Sequence, residues 1–356
     1  MKDVAVVVFG MGGVGQALVR QIVDGRSPAA SRNQCRFNVV ALVDSQNWLW
    51  QTAGLPDEDL MQAVANKQRG LPLLPQAESQ PSPLAVLDRA ATAGLKDVIV
   101  VDVTAVGGME PVVDCALELG YSLAFANKKL FAGPLATSQK YFNHSRIRHE
   151  STVGGGQPVI ATLRYLLDVN DPIERIEGQL SGTLGFVNGR LDQGATLSQA
   201  IAEAKAKGYT EPDPREDLSG MDVMRKVMIL GRMAGWGLET ADIEVESLYP
   251  AAMAGLTVAE FMAAAPQLDA AMQTRVEAAR QAGNVLRYVA EVEAGRGRVG
   301  LKAIPANSPL ANLKYVSFKT EYYNDEPLLI GGKGAGVEMT AAGVLGDMID
   351  LVREIV

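Results

Sequence analysis

Residues 3 to 9, Asp-Val-Ala-Val-Val-Val-Phe, form a β-branched apolar run, and Gly10-Met11-Gly12-Gly13-Val14-Gly15 follows it directly. A run this apolar reads as a strand buried on both faces, as in a parallel sheet. Beyond it, Ala17, Leu18, Ile22 and Val23 recur at helical spacing. Few folds accept strand, glycine turn and helix in this order. Gly10 permits the tight turn, Gly12 lets the backbone approach a pyrophosphate, and Gly15 allows close helix–strand packing. The helix N-terminus, starting with Gly13 and Val14, offers free N–H groups and a positive dipole end to phosphates. In this context the six residues read as a dinucleotide-binding fingerprint.

The alternation continues. Strands are expected at Phe37 to Val43, Val98 to Thr104 and Ser122 to Ala126, with a helix from about Met109 to Leu119. This predicts an α/β fold of Rossmann type, a doubly wound parallel sheet. The polar stretch from Gly25 to Arg36 reads as an insertion, and Leu71 to Pro83, rich in Pro and Gln, as a surface loop. Near residue 150 the character changes. Helices are expected at 157–168, 196–207, 218–235 and 256–283, and strands at 173–180 and over much of 284–330, an α+β pattern. The tail from Gly336 returns to a helix. A length of 356 residues suits two domains. They are drawn here as 1–148 with 334–356 for the dinucleotide, and 149–333 for substrate, catalysis and dimerisation.

Composition narrows the class. With 47% hydrophobic and 21% charged residues the chain resembles a soluble globular enzyme. A net charge of -8 gives no attraction to nucleic acid or an anionic membrane. No apolar run approaches the ~20 residues that span a bilayer, and no signal peptide precedes the first strand. Two cysteines make no disulfide framework, and Cys115, within a helical pattern, reads as a buried thiol in a reducing compartment. The expected location is the cytoplasm.

Asp44 ends the second strand, where a carboxylate bonds ribose hydroxyls and repels a 2′-phosphate. That favours NAD. A plain turn residue at this position is the competing reading, and Ser45, Gln46, Arg32 and Arg36 leave NADP open. His144 and His149, the only histidines, lack a partner at recognisable spacing and read as surface residues. With two scattered cysteines they make no zinc site. Acid–base chemistry then falls to Lys, Asp or Glu. The acidic loop Gly208-Tyr209-Thr210-Glu211-Pro212-Asp213-Pro214-Arg215-Glu216-Asp217 leads into a helix with Asp222 and Lys226 on one face. An exposed ion pair is the bland alternative. The loop beside it and the flanking Val223 and Val227 favour a partly buried site for a small charged substrate.

Here the chain resembles homoserine dehydrogenase. The residues that carry the likeness are the loop above, Asp217-Leu218-Ser219-Gly220-Met221-Asp222-Val223, Arg225-Lys226, Ala126-Asn127-Lys128-Lys129, Glu150 to Gly156 with Pro158, Leu180-Ser181-Gly182-Thr183, and Gly334-Ala335-Gly336 followed by Thr340 to Val344. They stand in family order along nearly the whole chain.

The resemblance implies NAD(P)-dependent interconversion of L-homoserine and L-aspartate 4-semialdehyde, in threonine, methionine and isoleucine biosynthesis. It implies that Lys226 is the catalytic lysine and Asp222 its substrate-binding partner. Glu211, with Asp217 nearby, would hold the substrate ammonium, and Thr183 would join this set. Lys128 would stand near the reacting oxygen. Thr104, Lys128 and the Gly334 to Gly336 turn would contact the cofactor. Glu150, with carbonyls of Val153, Gly155 and Gln157, would bind a monovalent cation, sodium. A homodimer would form through strands around 286–330. Chemistry agrees with the lysine: a buried amine, its pKa lowered, serves as base for the alcohol and acid for the aldehyde. No fused aspartokinase or C-terminal ACT domain is expected, and so no threonine feedback through one. The alternative is a related dehydrogenase of another small amino acid.

Overall fold

The N-terminal apolar run becomes the centre of a seven-stranded sheet. Its strands are β1 (Lys2–Phe9), β2 (Cys35–Val43), β3 (Asn47–Trp50), β4 (Glu78–Ser79), β5 (Val98–Asp102), β6 (Ser122–Phe125) and β7 (Ile147–Arg148), in the order β4-β3-β2-β1-β5-β6-β7. From β2 to β7 all neighbours pair in parallel, whereas β3 and β4 extend the edge antiparallel. Val4, Val6, Val7 and Val8 of β1 are wholly buried, as a central strand covered on both faces requires. The chain moves from β1 outward to β4, then returns to β5 on the other side of β1. The strand order therefore reverses between β1 and β5, and open α/β sheets bind ligands outside the carboxyl ends of the strands at such a switch.

The computed structural model describes residues 1–354. The chain divides into two compact units, Met1–Ile160 with the segment from Ala335 onward, and Ala161–Gly334. In the first unit the tail helix Val337–Glu354 buries Ala341, Val344, Met348 and Leu351 in the same core as Val4, Leu18, Val19 and Ile22. Each such Val, Leu, Ile or Met side chain contributes roughly 1.5–3 kcal/mol. Residues 149–160, expected with the second domain, pack with the first because the tail helix holds them. Asp347 accepts from the Glu150 N–H at 2.8 Å, and the Thr340 carbonyl accepts from the Ser151 hydroxyl at 2.7 Å.

Other expectations need correction. The insertion at 25–36 contains a helix, Arg26–Asn33, tied down by Arg26 to Asp57 at 2.7 Å. Between β3 and β5 lie two helices, Asp57–Gln68 and Pro83–Thr92. The thiol fully buried is Cys35, and Cys115 is only half-buried. His149 is also buried, its ring stacked on Phe131 at 4.3 Å with Thr152 bonded to Nδ1 at 3.2 Å.

The second unit is a six-stranded sheet of β8 (Ile173–Gly178), β9 (Ile243–Val245), β10 (Asn284–Glu293), β11 (Arg296–Pro305), β12 (Tyr315–Thr320) and β13 (Leu328–Gly331), ordered β13-β12-β8-β10-β11-β9. The expected helix 218–235 is two, Pro214–Leu218 and Met221–Met233. Gly220 separates them with φ +74, and a Cβ there would lie 1.9 Å from the Tyr288 hydroxyl of β10. Only glycine lets the second helix start this close to the sheet.

A charged cluster lies across the sheet on Glu177, Glu291, Lys302 and Tyr315. Lys302 donates to Glu177 at 2.8 Å and also pairs with Glu291, and the Tyr315 hydroxyl donates to Glu177. Burial opposes ionisation of Glu177, yet hydrogen bonds with Glu291, Lys302 and Tyr315 outweigh it and hold its carboxyl at about 2. A depressed folded-state pKa contributes stability above the unfolded value and loses it as pH falls through the folded one. Stability, followed by thermal melting, should therefore fall between pH ~4.3 and ~2. That slope should be shallower in Glu177→Gln, and an unchanged slope would contradict the assignment.

Candidate active site

The glycine turn sits at the switch between β1 and β5. Gly10, at φ +106, donates its N–H to the Val43 carbonyl at 2.8 Å, and a Cβ on it would press on Val103 and Thr104 at 3.0 Å. A Cβ on Gly15 would stand 1.9 Å from the Gly10 carbonyl oxygen, so turn and helix touch. At Gly12 the space is open, which leaves bare backbone at the start of the helix Gly13–Asp24. A Cβ on Gly13 would meet the Val337 side chain at 3.2 Å, which brings the tail turn, with Gly336 at φ +120, beside the glycine loop. A cavity of about 450 Å³ opens here, lined by Gly10, Gly12, Asp44, Lys67, Thr104 and Val106 among others. Its place, its glycine cradle and its size fit a dinucleotide.

Asp44, expected to meet ribose hydroxyls, already has partners within the protein. It is buried, its Oδ2 lies 2.8 Å from Lys67 Nζ, and its Oδ1 accepts from the Gln46 and Asn47 N–H groups at 2.7 and 2.6 Å. Burial opposes its charge, but Lys67 and the two N–H groups outweigh that and hold the carboxyl below its usual range. Lys67 comes from the helix Asp57–Gln68, which sequence reading missed. The edge of the cavity thus carries a cation paired with the carboxylate.

Thr104 and Lys128 stand after β5 and β6. Lys128 is half-buried and occupies the N-cap of the short helix Lys129–Ala132. Asp102, the last residue of β5, is buried to 1% exposure. Its carboxylate accepts from the Thr104 N–H at 2.9 Å, the Thr104 hydroxyl at 2.7 Å and the Asn127 amide at 3.0 Å. Burial pushes this carboxyl up, with the Thr104 and Asn127 bonds acting against it.

In the second unit the acidic loop and the helix after it come together. Lys226 Nζ pairs with Asp222 Oδ2 at 2.8 Å and donates to the Leu180 carbonyl at 2.9 Å. The Lys226 side chain is 18% exposed and that of Asp222 41%, so the pair is neither a free surface ion pair nor sealed in the core. Asp217 accepts from the Glu211 N–H at 2.9 Å and has the Thr183 hydroxyl within hydrogen-bond reach. Burial pushes its carboxyl up, the Glu211 and Thr183 bonds oppose this, and Asp222 and Lys226 are near enough to act on it. Thr183 also donates to the Tyr209 carbonyl at 2.6 Å. The side chains of Thr183, Asp217, Asp222 and Lys226, with the backbone of Glu211, therefore form one neighbourhood. Arg215 holds the loop in place, bonding Asp213 at 2.7 Å and the Met253, Ala254 and Leu256 carbonyls at 2.6–3.1 Å. The Leu180 carbonyl was invisible from sequence, since only the fold brings that loop to Lys226.

Glu150 and Gln157 are both buried. They bracket a loop in which Gly154 and Gly155 are consecutively left-handed, at φ +77 and +62. The Glu150 carboxylate accepts from the Ile160 N–H at 2.8 Å. Among the described residues no three His, Cys, Asp or Glu side chains converge on a metal position, and no helix is long and apolar enough to cross a membrane.

Comparison with known proteins adds the following. The family model described as homoserine dehydrogenase matches residues 158–349, and that of the homoserine dehydrogenase NAD-binding domain matches 10–150. The chain is 37% identical over 363 residues to a bifunctional aspartokinase/homoserine dehydrogenase of Haemophilus influenzae, covering 98% of this chain but only 43% of that one. It is 34% identical over 372 residues to a homoserine dehydrogenase of Schizosaccharomyces pombe, covering 99% and 96% of the two chains. Among solved structures, a hyperthermophilic archaeal homoserine dehydrogenase in complex with NADPH has a similar fold, with TM-score 0.76 and 24% identity over 99% of both chains.

Proposed function

The chain belongs to the homoserine dehydrogenase family, and from that premise we propose that it interconverts L-homoserine and L-aspartate 4-semialdehyde with NAD(P)(H). The observation that carries the proposal is the Asp222–Lys226 pair beside the acidic loop, in a chain whose first unit has a dinucleotide fingerprint at its topological switch. A bound nicotinamide would supply the hydride acceptor for oxidation of the carbinol carbon and, in its reduced form, the hydride donor for the reverse reaction. Lys226 takes the hydroxyl proton during oxidation and supplies it during reduction, general acid–base work worth roughly 10²–10⁴-fold. Asp222 and the Leu180 carbonyl fix its Nζ. Glu211, with Asp217 and Thr183, supplies the negative surface that a substrate ammonium needs. Lys128 and Thr104 belong to the cofactor side of the reaction.

Lys67 supports the use of NADP(H) as well as NAD(H). Paired with it, Asp44 no longer presents an uncompensated charge to a 2′-phosphate, and the Nζ is itself a phosphate partner. We assign a sodium ion to carbonyls of the Glu150 to Gln157 loop, since an all-oxygen set suits a hard cation and two left-handed glycines in succession turn the backbone sharply there. A cytoplasmic homodimer built on the six-stranded sheet completes the reading, and sedimentation at the mass of one chain would refute the dimer.

Substrate choice tests the acidic loop. NADPH should be consumed with L-aspartate 4-semialdehyde about a hundredfold or more faster than with the analogue lacking the α-amino group, since the loop's carboxylates lose their partner. Equal rates, or faster turnover of another amino aldehyde, would favour a related dehydrogenase.

A further inference from the structure

Asp102 and Asn127 tie together the two loops that carry Thr104 and Lys128, and neither has a role in the chemistry above. Asn127 is 4% exposed. Its amide nitrogen donates to Asp102 Oδ2 at 3.0 Å, to Thr104 Oγ1 at 3.2 Å and to the Val106 carbonyl at 2.8 Å. Its Oδ1 accepts from the Lys129 N–H at 3.1 Å. Asp102 also engages by its main chain, its carbonyl accepting from the Ala126 and Asn127 N–H groups at 3.0 and 3.2 Å. Backbone before Lys128 is therefore bound to the Asp102 main chain and backbone after it to the Asn127 side chain, the two residues whose side chains also hold Thr104 and Val106.

A buried carboxylate is expensive unless fully hydrogen-bonded, and here every donor comes from the loops beyond β5 and β6. The bonds are directional, each donor aimed at one of the two carboxylate oxygens. Hydrophobic packing of β5 and β6 needs no such pair. What the pair adds is a fixed geometry for the rim of the cavity, where Thr104, Ala105 and Val106 stand.

We propose that Asp102 and Asn127 are a positioning pair that sets Thr104, Val106 and Lys128 for the dinucleotide and for turnover. The inference rests on the dehydrogenase reading above. A loop released by even ~1 Å is enough to cost on the order of a hundredfold in rate.

The test compares Asn127→Ala with the wild-type protein by NADPH fluorescence titration, steady-state kinetics and thermal melting. Binding and turnover by the wild type test the dehydrogenase reading alone. Given those, Asn127→Ala should bind NADPH roughly tenfold more weakly and lose about a hundredfold in kcat, with KM for homoserine within about twofold, because the substrate residues lie on other segments. A folded variant with a lowered Tm but unchanged NADPH affinity and kcat would show a merely structural role and overturn the proposal. If Asn127→Ala does not fold, Asn127→Ser, which keeps a small donor and acceptor, gives the same comparison. It should show smaller losses of the same pattern, and wild-type values in it would equally overturn the proposal.

Discussion

Lys226→Ala is expected to lower turnover by about a thousandfold while leaving NADPH affinity unchanged. Lys226 is held by Asp222 at 2.8 Å and the Leu180 carbonyl at 2.9 Å, and its side chain keeps 18% exposure. Alanine removes the proton donor and acceptor and takes away the cation paired with Asp222. The fold should tolerate it, because the helix Met221–Met233 packs through Val223, Met224, Val227 and Leu230, which the change does not touch. Asp222→Asn should give an intermediate loss, since it keeps a hydrogen-bond acceptor beside the Nζ but not the charge. Rapid mixing of enzyme, homoserine and oxidised cofactor, with a parallel NADPH titration, separates chemistry from binding. Near-normal turnover in Lys226→Ala would sink the assignment of the base.

The second large effect concerns cofactor choice. Lys67→Ala should weaken NADP(H) relative to NAD(H) by about tenfold or more, the worth of one hydrogen bond to a charged group. Two consequences act in the same direction. The phosphate loses a cationic partner, and Asp44, now unpaired at the cavity edge, repels it. Lys67→Glu should shift the ratio further. The ratio of kcat/KM values for the two cofactors is the readout, and an unchanged ratio in both variants would restore Asp44 as a simple turn residue with no hold on selectivity.

That example shows where sequence reading stopped. Asp44 was visible as the residue after the second strand, because strand end and carboxylate are both local features. Its partner is not local. Lys67 lies on a helix with a weak apolar pattern, Leu60, Ala63 and Val64 being its buried residues, and tertiary packing alone delivers its amine to Asp44. The glycine turn and the buried β1 were legible because period and residue type suffice for a strand, a turn and a helix start. The edge strands β3 and β4, of four and two residues, are too short to carry a period. Asp222 and Lys226 stand out by helical spacing beside the acidic loop, the roles of Thr183, Glu211 and Asp217 by likeness to a family, and the fold brings Thr183, Asp217, Asp222 and Lys226 together. Asp102 was passed over because a carboxylate at the end of an apolar strand looks like a strand end until its three donors are seen. His149 failed the other way. Its aromatic neighbours Phe131 and Phe142 are distant enough in sequence to hide a buried stack.

Initial rates of nicotinamide reduction with L-homoserine, run in parallel with NADP and NAD at mildly alkaline pH, test the central claim most directly. The account predicts turnover that depends on homoserine, with NADP accepted because Lys67 neutralises Asp44. Folded protein that reduces neither cofactor in the presence of L-homoserine would contradict it.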